Sequence, residues 1–376
     1  MEIENPFILT SYESPAYFCD RAAEAKRLQT AFRARRNITL IAQRKIGKTG
    51  LIKHVFYQMN RSKQAVCLYV DIMRTQNLED FVNVLAKAII GKLDSKPVAV
   101  IKKILELLSS FRPQISYDAL TSEPDVTLTL SNDKDTVLSL DKIFEYLKEQ
   151  SRTKMVIVAI DEFQQILEYP EKNVEAHLRT FIQHLTNVKF IFSGSMKHLM
   201  IKMFHEANRP FYQSTEWMSL DKIDAGVYLS FIKAHFEKAK RKIREEDIKY
   251  MIEWTRNHTY YVQALCSELY ETHEKIITRD IIHHAMHELL LKNENIYFSY
   301  RNLLTSQQWN LLEALAKEDG VKNILAQSFL RKHKLSATSS VKTTLKALVD
   351  REMIVQDDDG TYHVYDVFFS RWLERL

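Results

Sequence analysis

The stretch that decides the fold runs Asn37-Ile38-Thr39-Leu40-Ile41-Ala42-Gln43-Arg44-Lys45-Ile46-Gly47-Lys48-Thr49-Gly50-Leu51-Ile52-Lys53-His54-Val55-Phe56. Its first five residues form a short apolar run, rich in β-branched side chains, that predicts a buried parallel strand. Its last six predict the start of a helix. Between them, Gly47-Lys48-Thr49 matches the end of the phosphate-loop pattern, in which backbone N–H groups and the helix N-terminus face phosphate oxygens. The stretch therefore predicts a phosphate-binding unit of strand, loop and helix.

The loop residues are the first candidates for nucleotide binding. We expect Lys48 to reach the β- and γ-phosphate oxygens and the hydroxyl of Thr49 to ligate Mg²⁺. The alternative is a basic surface turn, and the strand before the loop and the helix after it argue against that. Ala42 stands where the pattern has its first glycine, so phosphate binding should depend on residues 45–49. The expected contact set is Ala42, Gln43, Arg44, Lys45, Ile46, Gly47, Lys48, Thr49 and Gly50.

Two adjacent carboxylates, Asp161 and Glu162, follow the apolar run of residues 155–160. This places them at the carboxyl end of a predicted strand, where open α/β sheets bind ligands. Asp161 is expected to hold Mg²⁺ through a water or together with Thr49. Glu162 is expected to orient or deprotonate the attacking water. A solvated pair that caps a helix is the alternative.

The composition excludes some classes of protein. The 376 residues are 45% apolar and 27% charged, which is typical of a globular chain with two or three domains. No apolar run approaches the roughly 18 residues that cross a bilayer, and the acidic start lacks the pattern of a secretory signal. We therefore expect a cytoplasmic protein without a membrane segment. The net charge of +5 is small for this length and does not by itself indicate nucleic-acid binding.

Strand-like runs alternate with helical patterns over residues 1–220. Besides residues 37–41, such runs occupy residues 65–70, 155–160 and 188–193. The alternation predicts an α/β fold in which residues 1–220 form a core with a parallel sheet of the P-loop nucleoside-triphosphatase type. The segment of about residues 92–140 interrupts the alternation. Its proline breakers and an alternating apolar pattern predict an inserted hairpin.

Two smaller domains are expected after the core. Residues 221–297 carry several amphipathic helical patterns and no strand signal, which predicts an all-α lid. Residues 298–376 combine three short helices with a hairpin around an acidic turn, which is typical of a winged helix. The predicted helices lie at residues 306–317, 327–333 and 339–351, and the predicted strands at residues 353–356 and 362–365.

Three motifs in this order carry a family resemblance: Gly47-Lys48-Thr49, Val158-Ala159-Ile160-Asp161-Glu162-Phe163 and Phe190-Ile191-Phe192-Ser193-Gly194-Ser195. Together they resemble the archaeal-type P-loop ATPases of the STAND/AAA+ group, which are relatives of the origin-recognition ATPases. The resemblance spans nearly the whole chain and includes residues 365–373, which close the winged helix in the family manner. It implies binding of ATP and Mg²⁺ and an ATPase activity whose turnover is slow or dependent on a partner.

The resemblance also implies roles for residues outside the loop and the acidic pair. Phe18 and Arg21, with Glu24, are similar to the box that wraps the adenine in the family. Ser193 or Ser195 falls where relatives place a polar sensor beside the γ-phosphate. For the two serines, an ordinary backbone turn is the alternative.

An arginine that contacts the γ-phosphate is left unassigned by the resemblance, because Met196 and Lys197 stand where relatives often have arginine. The candidates are Arg179 and Arg209, and a surface ion pair is the alternative for each. His258 lies where relatives carry a nucleotide-contacting lid element, and a polar lid loop is the alternative there.

Three functional hypotheses follow from these features. The first is an ATP-hydrolysing, Mg²⁺-dependent switch whose lid and winged helix respond to the nucleotide bound between core and lid. The second is an ATP-dependent DNA-binding protein that uses Lys342, Thr343 and Lys346 of the winged helix. The acidic turn at residues 357–359 would repel phosphates, so a protein-contact, self-association or autoinhibitory role for that domain is favoured. The third is a scaffold that binds nucleotide without turnover.

Overall fold

A parallel sheet of five strands forms the centre of one of two compact units. The computed structural model describes residues 4–10, 12–92, 111–117, 124–130, 133–357 and 359–376. One unit is Ser11–Lys222, and the other is Met1–Thr10 with Ile223–Leu376. The strands of the first unit are β1 (Ile38–Ile41), β2 (Ala65–Asp71), β3 (Phe111–Tyr117), β4 (Pro124–Leu130), β5 (Met155–Asp161), β6 (Val188–Gly194) and β7 (Glu216–Ser219).

The strand order in the sheet is β2-β5-β6-β1-β7, with every neighbouring pair parallel. Strands β3 and β4 form a separate antiparallel hairpin within the segment expected to be inserted. The α/β fold class is confirmed. The edge strand β7 was not predicted from the sequence, because only Met218 of its four residues is buried and the run lacks a strand-like apolar pattern.

Helices cover both faces of the sheet. Alternate residues of β5 pack into two different hydrophobic clusters, with Val156, Val158 and Ile160 in one and Ile157 and Ala159 in the other. This alternation is the period-two pattern of a strand buried on both faces. The helices of the unit are α1 (Ala22–Arg33), α2 (Lys48–Arg61), α3 (Leu78–Gly91), α4 (Asp133–Gln150), α5 (Val174–Gln183) and α6 (Lys197–His205). Helices α1 and α2 contribute to the second cluster and α3 to α6 to the first.

The second unit is mostly helical. Its elements are α7 (Ala225–Lys238), β8 (Lys242–Ile243), α8 (Glu245–Trp254), α9 (Thr259–Glu271), β9 (Ile276–Ile277), α10 (Arg279–Leu303), α11 (Ser306–Lys317), α12 (Gln327–Lys332), α13 (Thr338–Asp350), β10 (Ile354–Gln356), β11 (Tyr362–Val364) and α14 (Val367–Leu373). Helix α11 begins at a capping box between Thr305 and Gln308. The boundary expected at residues 297/298 falls inside α10, so the two domains expected here share a continuous helix.

A cluster of charged side chains joins the predicted lid to the predicted winged helix. The Arg256 guanidinium contacts the Asp319 carboxylate at 2.6 Å, the carbonyl oxygen of Val364 at 3.2 Å and the Ser370 hydroxyl at 2.8 Å. Arg371 donates to the carbonyl oxygen of Trp254 and also contacts Asp319. Each of the two arginines therefore bonds to the segment opposite its own.

No helix within the described ranges is long and apolar enough to cross a membrane.

Replacing Arg256 should destabilise the second unit. Arg256→Ala leaves the Ser370 hydroxyl and the Asp319 carboxylate without their shared donor, and hydrogen bonds to charged groups contribute about 1.5–3 kcal/mol each when buried. Because Asp319 is half exposed, we expect a total loss of about 1–3 kcal/mol in the free energy of unfolding. The measurement is urea unfolding followed by tryptophan fluorescence. Lys322→Ala is the control, because it breaks an exposed pair with Asp359 and should change stability by about 0.5 kcal/mol or less. Equal losses in the two variants would contradict the role given to Arg256.

Candidate functional site

The phosphate-loop residues connect β1 to α2. Gly47 has φ of 105°, in the left-handed region that glycine adopts without a steric cost, and α2 begins at the next residue, Lys48. Lys45 also has a positive φ, of 64°. The N-terminus of α2 therefore faces the loop. The first backbone N–H groups of a helix attract anions.

Lys48 joins the loop to the two carboxylates. Its Nζ lies 3.2 Å from Oδ1 of Asp161 and 3.1 Å from Oε1 of Glu162, and the lysine is buried, with 7% of its surface exposed. Asp161 is the last residue of β5. Since β6 lies between β1 and β5 in the sheet, this contact spans the carboxyl ends of three strands. The structure thus brings together the two motifs that the sequence placed more than a hundred residues apart.

Hydroxyl groups surround the Asp161 carboxylate. Thr49 and Tyr69 donate to Oδ2 at 2.8 and 2.6 Å, and Ser193 donates to Oδ1. Burial raises the pKa of Asp161, but the Lys48 ammonium and the three hydroxyl donors outweigh burial and hold this pKa below its ordinary value. Asp161 is therefore a carboxylate at neutral pH. Tyr69 was missed in the sequence, where it is one more aromatic residue of a strand-like run.

Glu162 is held at both of its carboxylate oxygens. Oε1 contacts Lys48, and Oε2 accepts from the backbone N–H of Ser195 at 3.2 Å, from its hydroxyl at 2.8 Å and from Nε2 of Gln164 at 2.6 Å. Burial again raises the pKa, but Lys48 and these donors outweigh burial, so that the pKa of Glu162 lies below its ordinary value. Gln164 was also missed, although it stands two residues after Glu162.

The charges and donor atoms of the site fit a nucleotide with Mg²⁺. One lysine faces two carboxylates here, so the three groups together carry a net negative charge, which a bound cation would offset. The hydroxyl of Thr49 and Oδ2 of Asp161 lie side by side at 2.8 Å. No group of three or more His, Cys, Asp or Glu residues within the described ranges is arranged to hold a metal ion. Mg²⁺ does not need such a cluster, because it commonly combines one or two protein ligands with phosphate oxygens and water.

Phe18 and Arg21 lie against the loop and α2. Phe18 stacks on the ring of His54 in α2, with a centroid distance of 4.5 Å. The buried Arg21 donates to Glu24 at 2.9 Å and to the carbonyl oxygen of Ile46 at 3.4 Å. In this arrangement Arg21 fixes the phosphate loop to the start of α1.

Three further candidates, Arg179, Arg209 and His258, are not partners in the hydrogen bonds and ion pairs given above. Within the described part of the chain, Arg179 on α5 makes none of the contacts that join the loop to residues 161–195. Arg209 forms an ion pair with Glu175. His258 belongs to the second unit, where it is buried next to the ring of Tyr261.

Two family models match the chain. A probable winged helix domain matches residues 295–375. An ATPase domain predominantly from Archaea matches residues 18–265, well over half of the sequence. The chain belongs to this archaeal ATPase family. The resemblance to archaeal-type ATPases with a C-terminal winged helix is thus confirmed.

Solved structures from two organisms share the fold of this family member. A Walker-type ATPase of Pyrococcus abyssi matches with a TM-score of 0.68 and 16% identity over 99% of this chain and 100% of that chain. The ORC2 protein of Aeropyrum pernix, in ADPNP–ADP complexes, matches with a TM-score of 0.60 and 12% identity over 98% of this chain and 95% of that chain. The ORC1 protein of the same organism, in complex with DNA, matches with a TM-score of 0.51 and 12% identity over 100% of this chain and 98% of that chain. No curated protein matches the chain.

Removing Lys48 should change the pH dependence of stability. The lowered pKa values of Asp161 and Glu162 give the folded state stability that is present above their unfolded values, about 4, and is lost as the pH falls through the lower folded values. In Lys48→Met the burial that raises both pKa values remains without the cation that lowers them. This stability should then be much reduced, because only the hydroxyl and amide donors remain to offset burial.

We expect the destabilisation caused by Lys48→Met to be larger at pH 6 than at pH 3, as measured by urea unfolding at each pH. The control is Lys26→Met, which removes an exposed lysine of α1. A Lys48→Met effect as independent of pH as that of Lys26→Met would contradict the coupling between Lys48 and the two carboxylates.

Proposed function

We propose that the chain is an ATP-hydrolysing, Mg²⁺-dependent switch. The observation that carries the proposal is the contact of Lys48 with both Asp161 and Glu162 at the carboxyl end of the sheet. Residues 42–50 would hold the phosphates, and Thr49 and Asp161 would hold Mg²⁺. When bound, Mg²⁺ neutralises charge on the phosphate oxygens.

Glu162 would act mainly by orienting the attacking water. Its lowered pKa makes it a weak base, and a weak base contributes little by removing a proton at neutral pH. Ser195 would set the direction of this carboxylate, since both its backbone N–H and its hydroxyl donate to Oε2. The same contacts support Ser195 as the polar sensor of the site.

Phe18 and Arg21 would act at the adenine side. The stacking of Phe18 on His54 places an aromatic ring beside α2, near the loop. Arg21 would act through the loop, because its guanidinium bonds to the carbonyl oxygen of Ile46.

The moving part of the switch would be the second unit. The cluster of Arg256, Asp319 and Arg371, called here the Arg256 cluster, joins the predicted lid and winged-helix segments of this unit. A change in nucleotide state would therefore move these segments as one body. The rival is a scaffold that binds nucleotide without turnover.

Two substitutions should separate binding from hydrolysis. Lys48→Ala should abolish ATP binding, measured by calorimetry, because it removes the cation that faces the phosphates. Glu162→Gln should keep ATP binding and lower steady-state phosphate release by about 10²-fold or more, because an amide N–H replaces one of the acceptor oxygens that orient the water and a small misplacement is costly.

Glu168→Gln is the matched control, because Glu168 is an exposed carboxylate six residues further along, and it should keep the wild-type rate. Normal turnover in Glu162→Gln would remove Glu162 from the mechanism. A wild-type protein that binds ATP and releases no phosphate would support the scaffold.

For the winged helix we propose a protein contact rather than DNA binding. Lys342, Thr343 and Lys346 are exposed on α13. The turn between β10 and β11 carries Asp359, whose carboxylate pairs with the ammonium of Lys322. This pairing neutralises a lysine that could otherwise contact a DNA phosphate.

The full-length protein with ATP should therefore bind a DNA duplex only weakly. We expect a dissociation constant in the non-specific range, about 10⁻⁴–10⁻⁶ M at physiological salt, that weakens steeply with salt. Fluorescence anisotropy of a labelled duplex over a salt series provides the measurement. Binding in the nanomolar range at physiological salt would favour the DNA-binding hypothesis instead.

A further inference from the structure

Arg44 lies on the hydrolysis side of the candidate site. It is the third residue of the phosphate loop, and its Nε donates to the hydroxyl of Ser195 over 3.4 Å. That hydroxyl donates in turn to Oε2 of Glu162 at 2.8 Å. One serine therefore separates the Arg44 guanidinium from the carboxylate that would orient the water.

The two carboxylate oxygens of Glu162 each have a cationic side chain nearby. Lys48 contacts Oε1, whereas Arg44 approaches Oε2 through Ser195. Arg44 is partly exposed and stands at the surface of the loop. A guanidinium in this position combines a charge with a planar fork of donors that suits phosphate oxygens.

The other candidate arginines of this unit are engaged elsewhere or lie outside the contacts of the site. Arg21 bonds to Glu24 and to the loop backbone, and Arg209 pairs with Glu175. Arg179, on α5, is not a partner in the hydrogen bonds or ion pairs that the described residues of the site make with one another.

We propose that Arg44 supplies, from the same chain, the guanidinium that contacts the γ-phosphate during hydrolysis, with Ser195 holding it in place. This inference rests on the proposed ATPase function. Arg44 stabilises the charge that builds on the γ-phosphate oxygens while the bond from the water oxygen to phosphorus forms and the bond from phosphorus to the bridging oxygen breaks. The electron pair of the broken bond stays on ADP. One proton of the water remains on the phosphate product, and the other passes to solvent.

The test compares Arg44→Ala and Arg44→Lys with wild type in three measurements: single-turnover hydrolysis, ADP affinity, and affinity for ADP with aluminium fluoride, which mimics the transferring phosphoryl group. Arg44→Ala should lower the hydrolysis rate about 10²–10³-fold. Because the proposed contact of Arg44 is to the γ-phosphate, which ADP lacks, ADP affinity should stay within about threefold of wild type. The tighter binding that ADP gains with aluminium fluoride should be lost. Arg44→Lys should recover only part of the rate, because an ammonium keeps the charge without the fork.

The matched control is Arg33→Ala, an exposed arginine at the end of α1, which should behave as wild type. If the wild-type protein hydrolyses ATP and Arg44→Ala does so at the same rate, the role of Arg44 is overturned. The proposed ATPase function would still stand. The same holds if Arg179→Ala, and not Arg44→Ala, loses the effect of aluminium fluoride. A rate per chain that rises with protein concentration would indicate an arginine from a second copy and overturn the same-chain assignment. A wild-type protein without turnover overturns the proposed hydrolysis itself, whatever Arg44 does.

Discussion

The ion triplet of Lys48, Asp161 and Glu162 is the interaction on which the rest of the core depends. Removing one ammonium and two carboxylates from water costs several kcal/mol for each ion, and their attraction offsets this only when the remaining polar atoms are also satisfied. Hydroxyl, amide and backbone donors from five further residues meet that need at the carboxylate oxygens, namely Thr49, Tyr69, Gln164, Ser193 and Ser195. The triplet is therefore stable only where the loop, β2, β5 and β6 converge.

The strand order makes this convergence possible. Strand β6 lies between β1 and β5, so Ser193 and Ser195 at its end fill the gap between the loop and the acidic pair. Gly194, between these serines, allows close packing, because a Cβ there would lie 2.5 Å from Oε1 of Gln164 and 2.8 Å from Met200. A larger residue would push the strand end away from the segment that follows Glu162. The absence of a side chain at residue 194 thus helps set the distance between Ser195 and Glu162.

Local patterns predicted the central strands and the paired motifs, because a strand buried on both faces is a continuous apolar run and the loop has a fixed spacing. They could not predict contacts that depend on which strands are neighbours. Tyr69 reaches Asp161 only because β2 pairs with β5, and Arg44 meets Ser195 only because the end of β6 lies beside the loop. Strand β7 was missed because an edge strand with one buried residue gives almost no apolar signal. The continuity of α10 through residues 297 and 298 was not predicted either, because a change of pattern along the chain does not show whether a helix ends there.

The Arg256 cluster limits how a nucleotide could act on the second unit. A ligand shifts a conformational equilibrium only by its difference in affinity for the two states. A rearrangement that separates the lid from the winged helix would also have to break the bonds of Arg256 and Arg371 to Asp319. The chain crosses between the two units at residues 10/11 and 222/223. Backbone rotation at these two crossings breaks none of those bonds. A response in which the lid and the winged helix keep their mutual arrangement would therefore avoid the cost of breaking the bonds to Asp319.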